Sequence, residues 1–125
     1  MTQPAPGVAI VDDDPAVLAS TVFLFTMEGY AVKSYASAGR FLADSGCDHK
    51  CLILDHHMPE MTGLELAALL RQNNRLIPIL LVSGAVTPTV RARAAALGVE
   101  NVLEKPPQSS DLLDFARRHV RGGSC

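Results

Sequence analysis

Four short apolar runs in this 125-residue chain end on residues that can do chemistry. The run "VAIV" (8–11) stops at Asp12 and Asp13, and "CLIL" (51–54) stops at Asp55. The run "IPILLV" (77–82) stops at Ser83, and "VENVLE" (99–104) stops at Lys105. Three carboxylates brought together repel one another, and at least one resists ionisation unless a cation joins them. Carboxylate oxygens completed by water suit a hard divalent ion such as Mg²⁺. A metal so held attracts a phosphoryl group, whose other oxygens are matched by the Ser83 hydroxyl and the Lys105 ammonium. A nucleophile, a metal and charge stabilisers are what phosphoryl transfer requires.

That chemistry exists only if the ends of the four runs meet. Apolar runs rich in branched residues read as buried strands, here at 8–11, 30–35, 51–55, 77–82 and 99–104. Between them lie helical segments with start and stop signals. Asp14 caps the first and Pro15 takes its first position, with Val17, Leu18, Val22 and Phe25 near helical spacing and Gly29 as terminator. Ser37 caps a short helix to about Asp44, and residues 63–73 form a third. Thr87, Pro88 and Gly98 bound a fourth, and residues 109–120 form a fifth with Arg117, Arg118 and Arg121 toward its negative end. Strict alternation of five strands and five helices implies an α/β fold, a parallel sheet covered on both faces. Ligands of such sheets bind outside the carboxyl ends of the strands, where the four polar ends fall.

Bulk properties fit one domain over residues 7–121, with an N-terminal tail at 1–6 and a C-terminal tail at 122–125. Hydrophobic residues make up 48% and charged residues 19%, with a net charge of −2. That balance gives no footprint for nucleic acid or for an anionic membrane. No targeting or spanning segment is visible, so a cytoplasmic location is expected. Three cysteines do not suggest a disulfide framework. Cys47, His49, Cys51, His56 and His57 crowd together, but their spacing fits no common zinc pattern, and Cys51 heads an apolar run.

With these residues placed, the chain resembles the receiver domain of two-component response regulators over nearly its whole length. The resemblance rests on "VDDD", "LDHHMPEMTG", "VSGA" and "EKP" after the first, third, fourth and fifth strands. It implies a flavodoxin-like doubly wound sheet of five parallel strands in the order 2-1-3-4-5. It implies a signalling switch and not an enzyme. Asp55 would accept a phosphoryl group from a sensor histidine kinase or a phosphotransfer protein, and autodephosphorylation would return it. Asp13 and Asp55 would bind Mg²⁺ directly, Asp12 through water, and the His57 backbone carbonyl would be a further ligand. Ser83 and Lys105 would take phosphoryl oxygens, with the Lys105–Pro106 bond cis. Movement of Ser83 would alter the face made by the fourth helix, fifth strand and fifth helix. That face would meet a downstream effector protein or a second copy.

The chain departs from the common receiver pattern at four places. Val102 stands at the switch position where many receivers carry an aromatic ring, and Pro107 replaces a frequent Phe. His57 and Ala85 occupy the two positions that affect the hydrolytic water, and the His57 side chain reads as an exposed loop residue. Three other readings remain. Asp12 and Asp14 stand two apart, as in metal-dependent phosphatases of the haloacid-dehalogenase type, which would place phosphate on Asp12. A flavodoxin-like nucleotide or flavin binder would want Gly, Ser or Thr after the first strand, where this chain has acids. A receiver that is never phosphorylated would act as a binding module alone.

Overall fold

The computed structural model describes residues 7–44 and 49–120. The expected tails at 1–6 and 122–125, together with Cys47 and Arg121, lie outside the described residues. The elements are β1 (Val8–Val11), α1 (Pro15–Met27), β2 (Val32–Tyr35), α2 (Ala38–Ala43) and β3 (Cys51–Asp55). They continue with α3 (Gly63–Gln72), β4 (Ile79–Ser83), α4 (Pro88–Ala96), β5 (Asn101–Glu104) and α5 (Ser109–His119). All strand pairs are parallel and the order is β2-β1-β3-β4-β5, as expected.

Every residue of β1, β3 and β4 is buried because both faces of the sheet are covered. Val8, Ile10, Ile53, Leu80 and Val82 pack with Phe25 of α1 and Phe115 of α5. Their sequence neighbours Ala9, Val11, Leu52, Leu54 and Leu81 pack on the other side with Phe41, Leu64, Leu70 and Ala94. Each fully buried aliphatic or aromatic side chain contributes roughly 1.5–3 kcal/mol. The α1 stripe is weaker than its spacing suggests. Phe25 is buried, Leu18 and Val22 are partly so, and Val17 is exposed, as are Phe23 and Met27.

Three strands begin later than the apolar runs do, for two reasons. Gly29, Asn74 and Gly98 take left-handed φ values of 88°, 60° and 70° and end α1, α3 and α4. In each case the next amide reaches back into the helix: Tyr30 N to Phe25 O, Arg75 N to Leu70 O and Val99 N to Ala94 O. Tyr30 and Val99 are therefore parts of helix terminations and not strand starts. Pro78 has no N–H to give the ladder, so β4 begins after it, although its carbonyl still accepts from Leu52 N at 2.9 Å.

The loop from β3 into α3 is drawn tightly against the sheet. Thr62 and Glu65 form a reciprocal capping box, and Gly63 N donates to His56 O at 2.9 Å. A Cβ on Gly63 would lie 2.7 Å from the Asp55 carbonyl oxygen, 2.7 Å from Leu81 Cδ1 and 2.9 Å from His56 Cα. Two of those three neighbours are backbone and cannot swing aside. Gly63→Ala is expected to cost about 1–3 kcal/mol in chemical denaturation, because backbone shifts must relieve the overlap. A midpoint equal to that of the wild type would refute the close approach.

Candidate functional site

The two-residue period of the strands decides which polar ends share a face. Asp12, Asp55 and Lys105 each follow by two a residue of the α1/α5 side, namely Ile10, Ile53 and Leu103. Asp12 and Asp55 are buried, with 6% and 3% of their surface exposed, whereas Asp13 is exposed. One carboxylate oxygen from each of Asp12, Asp13 and Asp55 lies within 4.8 Å of the others. Asp14 is turned away from this group. Its Oδ1 accepts from Ala16 N at 2.9 Å and Val17 N at 3.3 Å, which caps α1 as expected. A paired role for Asp12 and Asp14, which the phosphatase reading needs, thus loses its second acid.

Lys105 closes the cluster. Its Nζ lies 2.7 Å from Asp55 Oδ1, and its backbone N–H donates to Ser83 O at 2.9 Å. The Lys105–Pro106 peptide is cis, as the resemblance implied. Burial alone would lower the Lys105 ammonium. The hydrogen bond and charge of Asp55, helped by Asp12 and Asp13, outweigh it and hold the group above the ordinary lysine range. Burial pushes the Asp12 carboxyl from 3.8 up to about 6, and the negative charge of Asp55 adds to that. The Asp14 amide, which donates to Asp12 Oδ1 at 2.9 Å, works against the rise.

Asp55 Oδ2 is buried and, among the described residues, has no hydrogen-bond partner. An uncompensated buried carboxylate oxygen is costly, and a cation is the partner that two further acids within reach would favour. The donor set, all hard oxygen with one exposed member, fits a magnesium ion. Beside it, a cavity of about 520 Å³ opens between α1 and α5, with Asp12, Asp55 and Lys105 at one end and Val17, Thr21 and Leu24 along its wall.

Ser83 is fully buried at the end of β4, one residue past the partner of Asp55 in the sheet register. Its hydroxyl does not bond Asp55. It donates to Ala85 O at 2.9 Å, accepts from Ala85 N at 3.2 Å, and lies 3.2 Å from His57 Nε2. The His57 contact was not anticipated, and its 26-residue separation leaves no local signal in the sequence. His57 N lies 3.4 Å from Asp55 Oδ1. His56 Nδ1 faces the Leu64 amide at 3.4 Å, and burial followed by the neighbouring His57 lowers its pKa. Val102 is buried on the side of the sheet that α2, α3 and α4 cover.

The histidine and cysteine crowding of the sequence does not converge among the described residues. Cys51 is buried on the α1/α5 side, where burial drives its thiol up to about 12. His49 instead meets the Tyr35 hydroxyl through Nε2 at 2.9 Å and stacks on Phe41, both of the opposite core cluster.

Comparison with known proteins agrees with this geometry. The response regulator receiver domain family matches residues 8–117. Response regulator protein TmoT of Ectopseudomonas mendocina is 39% identical over 115 residues, covering 90% of this chain and 51% of TmoT. Response regulator protein TodT of Pseudomonas putida is 36% identical over 124 residues, covering 97% of this chain and 54% of TodT. The solved structure of Vibrio cholerae chemotaxis protein CheY4 matches with a TM-score of 0.82 at 27% identity, covering 93% of this chain and 99% of that one. The chain belongs to the receiver domain family of response regulators, the phosphorylation switches of two-component systems. It spans about half the length of the curated relatives it matches. Among the described residues, no helix is long and apolar enough to cross a membrane.

Proposed function

We propose that Asp55 is the phosphoacceptor of this receiver and that it takes its phosphoryl group from a histidine kinase or a phosphotransfer protein. The observation that carries this reading is the partnerless, buried Oδ2 of Asp55, set beside two further acids and a lysine. Asp13 and Asp55 would hold Mg²⁺ directly, Asp12 through water, and the His57 carbonyl would complete the protein's share. When bound, Mg²⁺ neutralises the acids and the incoming phosphoryl oxygens. An Asp55 carboxylate oxygen attacks phosphorus as the phosphorus–nitrogen bond of the donor histidine breaks, and the bonding pair returns to the imidazole. The product is an acyl phosphate, which water later hydrolyses in an autodephosphorylation step. Lys105 exchanges its carboxylate partner for a phosphoryl oxygen.

The new oxygens also draw the Ser83 hydroxyl from Ala85 and shift the loop 84–87 that leads into α4. Val102 lies on β5 within the same unit, so repacking at this aliphatic position takes the place of an aromatic switch. The altered α4–β5–α5 face then binds a downstream effector or a second copy of the chain. The location in keeping with this role is the cytoplasm.

Titration with Mg²⁺ and beryllofluoride, followed by NMR, tests the reading. Shifts should centre on Asp55, Ser83 and Lys105 and extend into α4 and β5. Absence of any change around Asp55 would leave a binding module that is not phosphorylated.

A further inference from the structure

We infer that the His57 side chain is a latch that holds the Ser83 hydroxyl away from Asp55 until phosphorylation. The inference rests on the phosphoacceptor reading above. A serine hydroxyl has one proton and two acceptor lone pairs. Ser83 spends all three within its own loop and on His57. The proton goes to Ala85 O at 2.9 Å, and the lone pairs face Ala85 N and His57 Nε2, each at 3.2 Å. In this arrangement His57 carries its hydrogen on Nε2. Ser83 is fully buried with the ring in place, so solvent offers the resting hydroxyl no substitute partner.

His57 is placed to act on both sides of the switch. Its backbone N–H faces Asp55 Oδ1 at 3.4 Å, while its ring reaches Ser83. The ring packs edge-on against His56, with centroids 5.0 Å apart, and its Cδ2 lies 4.0 Å from where a Cβ of Gly84 would be. To reach a phosphoryl oxygen the hydroxyl must turn its proton from Ala85 O, and the latch requires that this movement also give up the His57 contact. The ring is therefore a positioning group that favours the unphosphorylated arrangement, and it need not touch the phosphoryl group to do so. Because the side chain is exposed, its removal leaves the core intact.

The test compares half-saturation by beryllofluoride at fixed Mg²⁺, read by NMR, for wild type, His57→Ala, His57→Gln, Ser83→Ala and the Ser83→Ala/His57→Ala double variant. Loss of one hydrogen bond to the resting hydroxyl should make His57→Ala bind roughly two- to tenfold tighter. His57→Gln, whose amide can still donate to Ser83, should stay close to wild type. On the Ser83→Ala background the gain from His57→Ala should vanish. Without the mimic, the Ser83 and Ala85 amide signals of His57→Ala should move toward their mimic-bound positions. Unchanged or weaker binding by His57→Ala overturns the latch, as does a gain that survives in the double variant, which would mark direct contact with the phosphoryl group. A wild-type chain that takes up no beryllofluoride overturns the phosphoacceptor reading itself, and the latch with it.

Discussion

Asp55→Ala will gain no phosphoryl adduct from acetyl phosphate and Mg²⁺, whereas the wild-type chain will gain one, as read by intact mass. The four neighbouring acids are not equivalent. Asp14 is committed to the first amides of α1. Asp12 has Oδ1 occupied by the Asp14 amide, and burial holds its carboxyl up to about 6, so it carries a proton more readily than an ordinary aspartate. Asp13 is exposed and better suited to meeting a hydrated cation. Asp55 alone combines a lysine on one oxygen with a second oxygen that none of the described residues engages. Covalent capture needs that oxygen, so its removal should reduce the adduct to background. An adduct that persists in Asp55→Ala and disappears in Asp12→Asn would move the phosphate to Asp12 and revive the phosphatase-like reading. The variant should remain folded, because Lys105 is partly exposed and can be hydrated when its partner is gone, and Asp12 loses a repelling neighbour.

Most of the site was legible because the fold itself writes it in one dimension. A sheet covered on both faces makes its inner strands continuous apolar runs, and each run ends where the backbone leaves the core. Asp12, Asp55, Ser83 and Lys105 stand at those breaks, so their placement follows from the breaks alone. Asp14 could be separated from Asp12 because Pro15 marks the helix start behind it. The misplaced strand starts have a physical source, which is that residue type does not report backbone hydrogen bonding. Tyr30 and Val99 are as apolar as strand residues, yet their amides close helix ends. The His57–Ser83 contact depends on how two loops from β3 and β4 meet, which no periodicity encodes. Gly63 left a fainter trace. A glycine in the first turn of a helix, directly after its capping threonine, forgoes helix propensity, and the close approach to Asp55 is the reason.

Asp12→Asn will stabilise the metal-free protein at neutral pH and will flatten part of its pH dependence. The folded carboxyl sits at about 6, against an ordinary value of 3.8. A carboxyl raised on folding binds its proton more tightly in the native state than in the unfolded one. The stability it adds is therefore fully present below 3.8 and is lost as pH rises to about 6. Above that, the native state carries a buried charge opposed by desolvation and by Asp55. A two-unit displacement bounds the effect at about 3 kcal/mol. Glu100, lowered by His119 and Arg118 against the cost of its own burial, runs the other way, with stability present above its ordinary 4.5 and lost as pH falls. Only the difference between wild type and variant isolates Asp12. Asparagine keeps an oxygen for the Asp14 amide and removes the charge, so that hydrogen bond survives. In urea denaturation with chelator, the variant should gain up to about 3 kcal/mol over wild type at neutral pH, with the gap closing as pH falls through the window. Added Mg²⁺ should narrow the gap, because a cation stabilises the native state more the more tightly it binds and the variant offers it one charge fewer. A gap that stays constant across the window would mean that Asp12 does not titrate there. Asp12 would then stay ionised beside Asp13 and Asp55, with the single charge of Lys105 set against three carboxylates.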